Sequence, residues 1–100
     1  MPSIELNRDH WGSNYAWPEG GDEWSHDWGD VDTQWFGSIL PRIRAFVPAP
    51  QILEIAPGFG RWTRFLKDLC DDLTIVDLNE NCIERCRERF RGLIKYYLSR

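Results

Sequence analysis

The chain has 100 residues, 42% of them hydrophobic and 28% charged, with a formal net charge of −4; that is room for one small globular domain and too little for two. Residues 1–40 carry Glu5, Asp9, Glu19, Asp22, Glu23, Asp27, Asp30 and Asp32 against Arg8 alone, whereas residues 82–100 hold six bases and two acids. The acidic first half argues against a basic nucleic-acid face, no long apolar span calls for a membrane, and three cysteines without a signal peptide point to free thiols in a reducing cytoplasm.

Five of the six tryptophans precede residue 36, and residues 1–31 show no clear period. Within them PEGGDEWSHDWGD predicts a loop with at most one short helical turn near Asp22–Asp27. A helical pattern starts at Asp32, a plausible N-cap, with Trp35, Phe36, Ile39, Leu40, Ile43 and Phe46 at three- and four-residue steps. Pro41 interrupts it, pressing on the carbonyl of Gly37, and VPAP (47–50) ends it.

QILEIA (51–56) is a short apolar run bounded by proline and glycine, the pattern of a buried parallel strand. The turn PGFG leads into a helix over 61–71, whose Trp62, Phe65, Leu66 and Leu69 form one stripe. LTIVDL (73–78) predicts a second buried strand. NENCIERCRERF (79–90) predicts a second helix, with Asn79 as its cap and Ile83, Cys86 and Phe90 facing inward. LIKYYL (93–98) predicts a third strand after the Arg91-Gly92 turn. The order is helix, then β-α-β-α-(β): an α/β fold with a Rossmann-like parallel sheet of two or three strands.

A turn between strand and helix stands at the carboxyl end of such a sheet, where open α/β folds bind ligands. Gly58 and Gly60 leave the backbone bare, and the helix from Arg61 would aim its free N–H groups and dipole at a ligand. A dinucleotide site wants G-x-G-x-x-G, but the register Gly58-Phe59-Gly60-Arg61-Trp62-Thr63 puts threonine at the third glycine. Glu54 lies inside an apolar strand, where an acid is expensive unless it has a partner or a task. An ion pair is the structural account of Glu54, and a helix cap that of Asp77.

The run ILEIAPGFG resembles motif I of the class I S-adenosylmethionine-dependent methyltransferases, an apolar–acid–apolar strand followed by a glycine turn. The resemblance covers roughly residues 50–98. It puts Glu54 near the methionine amino group of S-adenosyl-L-methionine, and Ala56 where the first glycine usually stands. Ile55, Pro57, Gly58, Phe59 and Gly60 complete the motif, and the methyl group of Ala56 is a mild departure. Nineteen residues after Gly58, Asp77 takes the place of the acid that accepts from both ribose hydroxyls, and Leu78 and Cys82 match positions lining the adenine pocket.

The resemblance implies a tryptophan-rich leader and helical cap over 1–49. Residues 50–100 would be the first, truncated unit of a cytoplasmic methyltransferase acting on a small-molecule or glycan-type acceptor. It names no catalytic residue in this chain; those are expected beyond Arg100, and the 100-residue chain alone is expected to be inactive. The leader offers a lid in Tyr15 and Trp17, whose aromatic faces would attract a sulfonium, or core packing, as for Trp35. Two alternatives stay open: a nicotinamide-dinucleotide-binding oxidoreductase unit, and a non-enzymatic tryptophan-rich interaction module. Cys82 and Cys86 stand one helical turn apart, but His10 and His26 are remote, so no metal is expected. An unpaired apolar strand over 51–56 would make the truncated chain self-associate.

Overall fold

The computed structural model describes residues 16–94 and 96–99. Trp11, Tyr15 and His10 lie outside them. Residues Asp22–Trp28 form a 3-10 helix, longer than the single turn expected. The helical pattern that follows becomes one segment, α1: an α turn Val31–Gln34, a π turn Trp35–Ile39 and an α turn Leu40–Ile43. Its cap is Asp30 rather than Asp32. Asp30 is extended, and its carboxylate accepts from the Thr33 N–H at 2.7 Å, which also holds its pKa below the usual range. The widened π turn falls just before Pro41, where the proline ring would otherwise crowd the Gly37 carbonyl.

The apolar stripe of α1 is only partly buried. Trp35 is 2% exposed, while Phe36 and Phe46 stand in solvent, Phe46 at 76%. The segment docks through Trp35, which stacks on Phe65 at 4.6 Å and lies 5.9 Å from the ring of Trp62.

Three strands follow: β1 (Ala49–Ile55), β2 (Cys70–Asp77) and β3 (Tyr96–Ser99). All pair parallel in the order β1-β2-β3, with Glu54 opposite Ile75 and Thr74 opposite Tyr96. Sequence order thus runs 3-2-1 across the sheet, the arrangement of one mononucleotide-binding half of a doubly wound fold.

The connecting helix, α2, is only Thr63–Leu66 rather than 61–71. Strand pairing wins the residues after it: Cys70 registers with Ala49, and the Ala49 N–H donates to the Leu69 carbonyl at 2.9 Å. The 3-residue turns ending at Asp68 and Leu69 close the helix so that β2 can start early. Pro50 falls inside β1, which the missing N–H permits because β1 is an edge strand of the described sheet.

Helix α3 (Glu80–Arg89) packs on one face of β2. Leu73, Ile75, Ile83, Cys86, Phe90 and Ile94 form the core, with Ile52, Leu66, Cys70 and Tyr97 partly buried against it. The expectation of strands buried on both faces fails for β1. Leu53 and Ile55 are exposed, Ile55 at 74%, because no described element covers that side. Among the described residues no helix is long and apolar enough to cross a membrane.

Candidate functional site

At the carboxyl ends of β1 and β2 lies an open cavity of about 870 Å³. Its floor comes from the turn after β1 (Ala56, Pro57, Gly58) and from Asp77, Leu78 and Asn79 after β2, with Cys82 on the first turn of α3. Leu53, Ile55 and Val76 extend it along the strands, and Trp17, Gly21, Trp24 and Arg61 close it from the leader side.

Asp77 ties the floor together. One carboxylate oxygen accepts from the Gly58 N–H at 3.3 Å, the other from the Asn79 N–H at 2.9 Å. A single side chain thereby fixes the glycine turn against the start of α3. Burial raises the pKa of Asp77 above the usual carboxylate range, opposed by the N–H groups of Asn79, Gly58 and Leu78. Gly58 and Asn79 each bind one oxygen, and the Leu78 N–H lies close enough to favour the charged form as well.

Seven of the ten residues named from the sequence line the cavity: Ile55, Ala56, Pro57, Gly58, Asp77, Leu78 and Cys82. Three do not. Glu54 points under the turn, where it accepts from the Thr63 hydroxyl at 2.5 Å, and both residues are buried. Burial pushes its pKa up to about 7; the Thr63 hydrogen bond works against that rise and the charge of Asp77 adds to it. Gly60 faces the core. A Cβ there would come within 2.4 Å of the Phe90 ring, so the bare backbone is needed for packing. Phe59 turns away to a smaller cavity of about 270 Å³, shared with Arg85 and Arg89. Its carbonyl accepts from Arg89 at 2.7 Å, and the Arg85 guanidinium lies 5.2 Å from its ring.

Ala56 departs from the glycine pattern through backbone angle rather than space. Its φ of 58° lies in the left-handed region that glycine enters without cost. Helix α2 also falls short of the dipole expected to point at a ligand. Four residues align too few peptide dipoles to give a strong positive end.

The leader is part of the site. The Trp17 ring stacks on Phe59 at 4.4 Å and covers Gly58, where a Cβ would meet the indole at 2.8 Å. Asp22 pairs with Arg64 at 2.5 Å, and Arg61 donates to the Ser25 hydroxyl at 3.2 Å. These links bring Trp24, one of the leader aromatics that could form a lid or pack in the core, to the cavity together with Gly21. Arg61 and Asn79 had a usable signal, since each immediately adjoins or lies two residues from a motif position.

Neither a family model nor a solved structure matches the chain. The chain is similar to Nodulation protein S. Over 68 residues, 68% of the chain, it is 34% identical to that protein of Bradyrhizobium diazoefficiens. The chain spans 32% of that relative's length.

Cys82 and Cys86 are free and buried, and burial pushes both thiols up to about 12. No group of three or more metal-ligating side chains gathers among the described residues.

Proposed function

We propose that the chain supplies the cofactor-binding part of an S-adenosyl-L-methionine-dependent methyltransferase acting on a small-molecule or glycan-type acceptor. Asp77 carries this reading: a buried carboxylate at the end of β2, fixed by main-chain N–H groups, lies in one cavity with a glycine turn. A fixed carboxylate with two acceptor oxygens suits two neighbouring ribose hydroxyls. The similarity to Nodulation protein S over most of the chain adds support.

The residues present fit such a ligand. Leu78, Val76 and Cys82 give apolar walls suited to a purine, and Trp17 and Trp24 add aromatic surface of the kind that attracts a cation. Bound S-adenosylmethionine would bring a methyl group on a sulfonium. The chain's own task is to hold the nucleoside, exclude water and keep Asp77 ionised and oriented.

A pyrophosphate fits less well than a sulfonium. Glu54 and Asp77 place two carboxyls at the strand ends, α2 is one turn long, and Thr63 occupies the third-glycine position while bonded to Glu54. The nicotinamide reading therefore lacks its phosphate cradle.

Melting the full-length protein with S-adenosylhomocysteine and with NAD separates the two readings. Saturation at a hundredfold over Kd stabilises by about 2.7 kcal/mol, enough to move the midpoint by several degrees. S-adenosylhomocysteine should raise it and NAD should not. Asp77→Asn should weaken S-adenosylhomocysteine about ten- to a hundredfold by calorimetry. Stabilisation by NAD alone would refute the proposal.

A further inference from the structure

Beneath the glycine turn runs a line of buried polar side chains that lie outside the cavity lining. Thr63, the first residue of α2, and Cys86, on α3, are both fully buried. The Thr63 hydroxyl donates to Glu54 at 2.5 Å and lies within hydrogen-bonding reach of the Cys86 thiol. That thiol donates in turn to the Gly58 carbonyl at 3.4 Å. A Cβ at Gly60 would stand 3.6 Å from the same sulfur. Cys86 therefore packs against the turn at both glycines.

Polar atoms buried in a core are a cost unless they are bonded, and an apolar side chain would fill the same space without it. Here the bonds lead to the turn. Gly58 is held on both sides, its N–H by Asp77 at 3.3 Å and its carbonyl by Cys86. With φ at 61° and no side chain, it has more backbone freedom to lose than any other residue type. We infer that Thr63 and Cys86 are positioning residues, a strut from Glu54 on β1 to the Gly58 carbonyl that holds the glycine turn in the shape it presents to the cavity. They act on a ligand only through Gly58. The inference rests on the S-adenosyl reading for the identity of that ligand; the strut itself stands on its own contacts.

A thiol suits this place. Burial pushes the Cys86 thiol up to about 12, so it keeps its proton and stays a donor throughout the neutral range. A turn held in place before binding leaves less to be ordered when a ligand arrives, which favours affinity. Because S–H is a weak donor, the effect is modest.

The test uses the full-length protein and two pairs of variants. Cys86→Ala and Cys86→Ser both give up the volume of the sulfur, and only serine keeps a donor. Thr63→Val and Thr63→Ser separate the hydroxyl from the shape in the same way. Hydrogen exchange over 56–62 reports the turn, and exchange over 73–77 reports any general loss of stability. Calorimetry with S-adenosylhomocysteine reports binding. The turn should exchange about two- to tenfold faster in Cys86→Ala and Thr63→Val, and both should bind S-adenosylhomocysteine more weakly by about the same factor. The two serine variants should stay close to wild type in both measurements, even where their melting midpoints fall.

If the two members of either pair exchange alike over 56–62, Thr63 and Cys86 are packing residues and the strut is overturned. Protection that differs within each pair while affinity does not would overturn the positioning role. Should wild type fail to bind S-adenosylhomocysteine, the S-adenosyl reading falls, and the exchange comparison still decides the strut.

Discussion

Glu54→Gln isolates the ionisation of one buried carboxyl. Glu54 is 9% exposed and accepts from the Thr63 hydroxyl at 2.5 Å, a donor that a glutamine oxygen can also satisfy. Burial lifts its pKa from the ordinary 4.5 to about 7. The folded state therefore holds this proton more tightly than the unfolded chain. Stability from that proton is full below about 4.5, drains as pH rises toward 7, and is gone above it. The whole excursion is worth about 3 kcal/mol, from 1.36 kcal/mol for each pH unit between the two values. The glutamine variant has no proton to lose. Its buried amide N–H₂ adds an offset of about 1–3 kcal/mol if unpaired, but that offset does not change with pH. Urea denaturation at pH 4.5, 6, 7 and 8 should show the variant gaining about 3 kcal/mol on wild type across the range. Asp77, raised by burial too, gives both proteins a slope of the same sign, and its coupling to Glu54 is the smallest of the causes, so it changes the difference little. Parallel stability curves for the two proteins would show that Glu54 is not buried as a proton-bearing group.

Ala56→Gly should stabilise by about 1 kcal/mol in denaturant melts, since a φ of 58° strains alanine more than glycine's entropy costs; a destabilised variant would remove the left-handed turn. Gly60→Ala should cost about 2–3 kcal/mol, because the new methyl meets Phe90 at 2.4 Å and φ is 97°, and a wild-type midpoint would refute that packing. Sedimentation equilibrium of the 100-residue chain should show self-association through the edge of β1, where Leu53 and Ile55 are exposed, and Leu53→Lys should shift it toward monomer. A distribution unaffected by the charge would point to another surface.

The order of the elements and the parallel pairing of β1 with β2 are legible in the sequence. Apolar runs at 51–56 and 73–78 with short connections leave a parallel β-α-β unit as the economical solution, and β1 and β2 pair that way. The sequence also put Asp77 at the end region of β2 and Ile83, Cys86 and Phe90 on the inward side of α3 and its C-cap. These are short-range signals, periods of two and 3.6 residues read within one element. Element ends were less legible. Asp30 rather than Asp32 caps α1, and α2 shrinks to one turn because Cys70 pairs with Ala49, a contact 21 residues away that no helical period reports.

The tertiary structure alone decided which way each residue of the glycine turn faces. Gly58 opens to the cavity because Asp77, 19 residues on, holds its N–H and Trp17 lies over it. Gly60, two residues later, turns into the core because Phe90 packs on it. Glu54 points beneath the turn to Thr63, and Trp24 reaches the cavity only because Asp22 pairs with Arg64, 42 residues away. Local pattern sets what a residue can do. Contacts across tens of residues set where it points, because only they fix the positions of two segments that the chain itself leaves free.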